Sequence, residues 1–437
     1  MSNTRLSCGQ TYPIPNPQAA MLWALTSQLE SSQWLAPDVI ADRQRLQLHA
    51  LLNHAVHHSD YVRECLAQAG ASPQTVAMPS GLQRLPVLTR HAVQSAGSRM
   101  FASGVPRSHL PLSENRTSGS SGIPVAIRRT AMSQLFWHAF ILREHRWFKR
   151  DFSLPLAIIR ADHPGAKPSL RNSWGVPVSL LASSGPSATL PIATDVSEQG
   201  HWLQQINPGY LLTYPTNLAA LVEELQRRSI RLPRLRQVRT ISETVSPHVR
   251  AQVRSTLGVE IVDTYSSQEL GIIAIQCPVG GLYHTMAENL IVEVLHDDGS
   301  ACQVGETGRV VVTDLSNLAT PLLRYELGDY AEVGSKCACG RGLPTLKHIN
   351  GRRRNMLVFP DGRRHWPMFT FVAQRLINAM HDQPLRTGDG IVIALTATMG
   401  WAKVRPGEEL SGVITRADHA LMYGKTHGRD QYVMATD

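Results

Sequence analysis

The stretch Arg116-Thr117-Ser118-Gly119-Ser120-Ser121-Gly122-Ile123-Pro124-Val125 sets four hydroxyl side chains and two glycines in the six positions 117–122. Glycines let a backbone come close to an anion, and hydroxyls and turned-in N–H groups donate hydrogen bonds to it. The run has neither the closing Gly-Lys-Ser/Thr of a Walker loop nor the strand–GxGxxG–helix setting of a dinucleotide fold. Alone, such a loop is more often a plain surface linker. The residues downstream decide between the two.

From 155 to 330, short β-rich runs alternate with helical patterns. Residues 156–159, 210–213, 237–241 and 260–263 read as buried strands, and 217–228 and 246–257 as helices between them. Such alternation predicts an α/β fold with parallel sheets. Residues 289–295 and 308–314 follow as antiparallel strands, with Asp297-Asp298-Gly299 as the turn signal. Upstream, 17–70 reads as helices, with Leu48, Leu51, Leu52 and Ala55 at helical spacing and Thr89 placed to cap another helix. The three histidines between His54 and Tyr61 read as surface and helix-end residues rather than as metal ligands.

At 437 residues, 43% hydrophobic and 18% charged, the chain has the balance of a globular enzyme and length for more than one domain. No apolar run approaches a membrane span, and the N-terminus lacks an apolar signal core, so a cytoplasmic location and no membrane partner are expected. The net charge of +9 is scattered, with clusters at Arg227-Arg228, Arg352-Arg353-Arg354 and Arg363-Arg364. No basic stripe interleaved with aromatics is present, so anionic small molecules are expected as ligands rather than nucleic acid.

Three further motifs follow the Ser/Gly run. Asp263-Thr264-Tyr265-Ser266-Ser267-Gln268-Glu269-Leu270-Gly271 reads as a carboxylate just after a strand, then a small-residue turn. Arg324-Tyr325-Glu326-Leu327-Gly328-Asp329 reads as a strand ending in a second carboxylate, and Gly351-Arg352 as a charged hinge. In this order and spacing the chain, over about residues 40–369, resembles the adenylate-forming superfamily, and within it the phenylacetate–CoA ligase and CapK-like branch. The resemblance implies a large N-terminal domain over 1–350, with parallel and mixed sheets flanked by helices and a small β-barrel-like part, then a hinge-like linker over 351–370.

It also implies the chemistry: joining a small carboxylic acid, of aryl type, to ATP as an acyl-adenylate, with coenzyme A thioester formation in intact relatives. Two anions must meet, which calls for phosphate cradling, a metal and fixed positive charge. The resemblance gives the triphosphate to Thr117, Ser118, Gly119, Ser120, Ser121 and Gly122. It sets Tyr265 against adenine, Ser266 near the α-phosphate, Glu269 on Mg²⁺, Asp329 on the ribose hydroxyls and Arg352 by ribose or phosphate. Ser242-Glu243 matches the family's strand end lining the acyl pocket, whose walls by analogy come from 179–184, Tyr214 and 240–244. Thr117, Glu269 and Arg352 are the implied catalytic residues, and a homodimer is compatible with the relatives.

Of six cysteines, Cys277, Cys337 and Cys339, together with His284, make a Cys₃His set suited to structural zinc. The Cys-x-Cys spacing is tighter than the usual CxxC, and two unrelated buried pairs are the alternative. Related ligases carry a similar set, so the resemblance favours zinc. Cys8, Cys65 and Cys302 read as bystanders.

Residues 371–437 resemble the end of a GGDEF diguanylate cyclase domain, in Leu395-Thr396-Ala397-Thr398-Met399-Gly400-Trp401 and the run from Arg416 to Asp430, although the signature itself is absent. That tail is read as a short α+β segment standing in place of the ligases' mobile lid, with helices at 371–380 and 410–423, a strand at 391–399 and a final strand. No lysine occupies a recognisable lid position. Two readings therefore stand beside an active ligase: a nucleotide-binding remnant without turnover, and a cyclic-di-GMP-linked signalling protein.

Overall fold

The computed structural model describes residues 16–117, 125–161, 165–353, 356–358, 364–365, 385–386, 392–393, 398–402, 405, 408–426 and 431–435. They fall into two compact units that divide between Arg354 and Asn355.

The first unit opens with the helices Pro17–Ser32, Pro37–His58 and Asp60–Gln68. Leu48, Leu51, Leu52 and Ala55 all point inward, as their spacing requires. Asn16, Ser59 and Thr89 cap helix starts through their side chains, so the expectation for Thr89 holds. β1 (Ser113–Thr117) and β2 (Val125–Arg129) pair as a hairpin. The residues joining them, 118–124, carry Ser118, Gly119, Ser120, Ser121 and Gly122 and lie outside the described residues. For Thr117, the last residue of β1, the backbone alone is described.

The other strands are β3 (Leu156–Arg160), β4 (Ser169–Arg171), β5 (Ser187–Pro191), β6 (Tyr210–Thr213), β7 (Gln237–Thr240), β8 (Glu260–Ser267), β9 (Gly271–Gln276), β10 (Tyr283–Thr285), β11 (Leu290–Leu295), β12 (Thr307–Asp314), β13 (Tyr325–Val333) and β14 (Thr345–Arg352). They form one twelve-stranded sheet in the order β11-β12-β13-β14-β10-β9-β8-β7-β6-β3-β5-β4. From β5 to β8 neighbours run parallel, with helices such as Pro215–Arg227 and Pro247–Leu257 as crossovers. These strands are buried on both faces, as a helix-covered parallel sheet demands. The antiparallel strands, the expected 289–295 and 308–314 among them, continue this same ladder.

β8 is the joint. It runs parallel to β7 as far as Thr240↔Asp263, and antiparallel to β9 from Thr264↔Ile275 onward. Asp263 therefore lies inside a strand rather than just after one, because the second partner takes over the ladder where the first ends. Asp329 likewise lies within β13 rather than at a strand end. Arg309 pairs with Tyr330 and Val311 with Glu326, so Leu327, Gly328 and Asp329 all oppose Val310. This bulge is permitted by Gly328, whose φ of +77° a side chain would disfavour, and it re-aims Asp329. Gly351 and Arg352, expected as a hinge, are instead the last residues of β14, paired with Tyr330 and Asp329.

A buried ion cluster braces the helix Ala131–Trp147 against the parallel sheet. Burial pushes the Glu144 carboxyl up, but Arg150 and Arg239 overcome this and hold it well below the usual carboxylate range. Arg150 Nη2 reaches it at 2.8 Å and Arg239 Nη2 at 2.5 Å. Among the described residues, no helix is long and apolar enough to cross a membrane.

In the second unit, the strands Met399–Trp401 and Tyr432–Met434 pair in parallel, joined by the helix Leu410–Thr426. The expected helix and final strand are present. Residues 366–384, which include the other expected helix, lie outside the described residues, as does most of the expected strand over 391–399. Lys425 is exposed on the helix.

Candidate functional site

In a sheet whose parallel strands end together, ligands gather beyond the carboxyl ends, where the loops diverge. Here those ends are followed by Tyr214 after β6 and by Ser242 and Glu243 after β7. Ser242 holds a φ of +68°, and the exposed Glu243 accepts from Thr216 N at 2.9 Å and Thr216 Oγ1 at 3.1 Å. Glu243 thus caps the start of the helix Pro215–Arg227, where a carboxylate complements the helix dipole. Tyr214 Oη accepts from Ala161 N at 3.1 Å.

Asp263 is buried below this rim. Thr240 Oγ1 donates to it at 3.0 Å and Tyr283 Oη at 2.9 Å. Burial raises its carboxyl above the usual range, against the pull of those two donors.

The motif residues converge beside the joint strand. Tyr265 Oη donates to Asp329 Oδ2 at 2.8 Å, and Arg352 Nε meets Asp329 Oδ1 at 3.1 Å. Arg352 Nη1 also donates to the Leu327 carbonyl at 2.6 Å, which ties the guanidinium to the bulge. Burial and the Asp329 charge hold the Tyr265 phenol well above its ordinary value, so it remains a donor. The two Asp329 oxygens and the Tyr265 ring make a platform with a carboxylate at its edge. Such an edge can receive paired hydroxyls.

Glu269 sits in the turn between β8 and β9, buried to 8% exposure, facing Arg90 at 3.3 Å. Ser267 Oγ accepts from Leu270 N at 3.1 Å and shapes the turn, while Ser266 is half-buried beside it. Arg129, at the base of the β1–β2 hairpin, donates to the Gln268 carbonyl and stacks on Trp137 at 4.3 Å. The hairpin carrying the Ser/Gly run is therefore fastened at its base to the turn that presents Glu269. Arg90 and Arg129 are the neighbours of Glu269 and its turn that the sequence did not single out. Arg90 follows a recognised cap and Arg129 follows the Ser/Gly run, but neither sits in a motif.

Cys277, His284, Cys337 and Cys339 meet as expected, their donor atoms all within 4.8 Å of one another. Cys277 Sγ and Cys337 Sγ are 3.7 Å apart, close to the edge of a tetrahedron built on metal–sulfur bonds of about 2.3 Å. His284 Nδ1 meets the Leu343 carbonyl at 3.2 Å, which turns Nε2 toward Cys339 Sγ, also at 3.2 Å. Burial lowers the imidazole to about 4, leaving it neutral, as a ligand must be. Burial pushes the Cys337 thiol up to about 11. A Cβ at Gly280 would stand 2.6 Å from Cys337 Sγ, so glycine keeps that sulfur's place open. The donor set fits a closed tetrahedral cation. The histidines of the 54–61 stretch make no comparable grouping among the described residues, though the His54 and His58 rings lie 4.5 Å apart.

This architecture is the fold of acid–CoA ligases that act through an acyl-adenylate. It superposes on 2-hydroxyisobutyryl-CoA ligase, solved in the postadenylation state with a bound adenylate, with a TM-score of 0.61 at 16% identity, covering 90% of this chain and 86% of that one. In sequence, the chain is similar to the phenylacetate–coenzyme A ligase of Thermus thermophilus, 25% identical over 333 residues, or 72% of this chain and 71% of the relative. It is also similar to the phenylacetate–coenzyme A ligase of Pseudomonas putida, 22% identical over 343 residues, or 76% and 74% of the two chains. No protein-family model matches the chain.

Proposed function

We propose that this protein activates a small carboxylic acid, of aryl type, by transferring the adenylyl group of ATP to it, and then passes the acyl group to coenzyme A. The observation that carries this reading is the Tyr265–Asp329–Arg352 platform standing beside Glu269. The substrate carboxylate attacks the α-phosphorus, its oxygen forming the new P–O bond while pyrophosphate leaves. Tyr265 supports adenine and Asp329 accepts from the ribose hydroxyls. Arg352 balances charge at the ribose edge. Glu269, with Ser266 nearby, would hold Mg²⁺, a hard cation that takes carboxylate and phosphate oxygens and neutralises developing charge. Thr117, Ser118, Gly119, Ser120, Ser121 and Gly122 would cradle the triphosphate, and Ser242 and Glu243 stand at the acyl side. Cys277, His284, Cys337 and Cys339 would hold a structural zinc that staples the β9–β10 turn to the segment before β14.

A second reading, nucleotide binding without turnover, is favoured by the C-terminal sequence. Its diguanylate-cyclase-like stretch takes the lid's place in the chain, and the exposed Lys425 is the nearest lysine to a lid position by sequence. One experiment separates the two: pyrophosphate release with ATP, Mg²⁺ and a panel of aryl and aliphatic acids, with Glu269→Gln as control. Acid-dependent release, lost in the control, supports the ligase. ATP binding with no release for any acid supports the remnant.

A further inference from the structure

The loop between β11 and β12 brings together three unlike donors, one of them the cysteine that looked like a bystander in the sequence. His296, Cys302 and Glu306 each present one ligand atom, and the three atoms lie within 4.8 Å of one another. They sit on two consecutive turns, closed by Gly299 N to the His296 carbonyl at 3.0 Å and by Glu306 N to the Gln303 carbonyl at 3.0 Å. Both turns are tied down. Cys302 N donates to the Val294 carbonyl at 2.9 Å, and Gly305 N to the Val333 carbonyl at 3.0 Å. The Cys302 side chain packs against the main core. Little ordering is therefore left for a bound ion to impose.

Imidazole nitrogen, thiolate sulfur and carboxylate oxygen together suit a borderline divalent ion such as zinc, and Mg²⁺ or Ca²⁺ would not choose the thiolate. Glu306 Oε2 already spans His296 Nε2 at 3.1 Å and Gln303 N at 2.6 Å. An ion would replace the first contact and keep the second, which orients the carboxylate as an outer hydrogen bond does in metal sites. The side chains of His296 and Glu306 are 38% and 46% exposed, so a fourth position faces solvent.

We propose that His296, Cys302 and Glu306 form a three-ligand site for a zinc-class divalent cation, separate from the Cys₃His set, with the fourth position taken by water. The ion cross-links the two turns of this loop. The test is titration of metal-stripped, full-length protein with Zn²⁺ and with Co²⁺ at micromolar concentrations, read by metal content after gel filtration. His296→Ala, at an exposed position, is expected to bind one equivalent fewer than the unaltered chain. Cys302→Ala is expected to lose part of the thiolate-to-cobalt absorption and to bind more than about tenfold more weakly at this site, since even outer-shell losses reach that scale. Equal stoichiometry in the unaltered chain and His296→Ala overturns the proposal, as does binding at this site only in the millimolar range. Because the reading is a difference of one equivalent, it stands whether or not the Cys₃His set is filled.

Discussion

Asp329 and Arg352 are register partners in the β13–β14 ladder, and the same two residues are joined through their side chains at 3.1 Å. The ladder thus fixes a carboxylate that also takes the Tyr265 hydroxyl at 2.8 Å. Asp329→Asn keeps the shape but removes the charge that both partners address. Hydrogen bonds to a charged group contribute about 1.5–3 kcal/mol, so ATP affinity should fall by about 10- to 100-fold in titration calorimetry. Unchanged affinity would remove Asp329 from the nucleotide site.

Glu269→Gln leaves the turn geometry to Ser267 and Arg129, which hold it by their own hydrogen bonds. What is lost is the charge that would hold the divalent ion. Acid-dependent pyrophosphate release should drop by about 10²–10³, the scale for removing one electrostatic element from an active site. The Tm should stay close to that of the unaltered chain.

Cys337→Ser removes one of four donors from the buried set beside β10. Metal affinity at that set should collapse, and the Tm should fall by about 5 °C or more, because metal binding at a closed thiolate–imidazole set is coupled to folding. Metal analysis and a thermal scan check both parts. A variant with full metal content would show that the four residues are merely neighbours.

Glu144 is the buried carboxylate shared by the buried Arg150 and the part-buried Arg239. Glu144→Gln leaves Arg150 and Arg239 without their counter-charge, and breaking a buried pair in this way costs about 3–5 kcal/mol. Chemical denaturation should show a loss of that order. Glu144 makes its contacts with Arg150 and Arg239 rather than with Tyr265, Asp329 or Arg352, so the folded fraction should still bind ATP.

His145 gives the stability a pH dependence. Burial, with Arg239 and Arg150 adding to it, holds its imidazole well below the ordinary value, and its Nδ1 faces Arg150 Nη1 at 3.0 Å. The unfolded chain takes up a proton near pH 6.5 that the folded chain refuses, so the unfolded state binds more protons below that pH. Stability contributed by the neutral ring is complete above about pH 6.5 and declines as the pH falls toward the depressed folded value. Melting curves from pH 7.5 to 5 should show this decline, and His145→Gln should make it shallower, the depressed His284 contributing part of what is left.

Much of the parallel sheet could be read from the chain because short apolar runs bounded by turn residues leave few alternatives. β3, β6 and β7 match their expected ranges to within a residue at either end. The Cys₃His set was readable for another reason: its residue types are few, so their chance of meeting could be weighed. The bulge at Gly328 was not readable. It depends on which residues of β12 face β13, a relation no local pattern carries. Arg90 and Arg129 were hidden because long side chains reach Glu269 and Gln268 from elements remote in sequence. Cys302 looked idle because its partners lie on two successive turns whose folding back together is a tertiary fact.

The place of β14 in the sheet order bears on how the chain is made. β14 enters between β10 and β13, so Tyr283 waits for Leu346 and Asp329 for Arg352. A chain emerging from the ribosome that has not yet reached Thr345 presents two bare strand edges toward one another, with the Tyr265–Asp329 pair lacking its arginine. Bare edges invite pairing with other chains. A protein stopped short of β14 should therefore be a sticky species and not merely a shortened one, so the last strand of the first unit acts as the keystone of its synthesis.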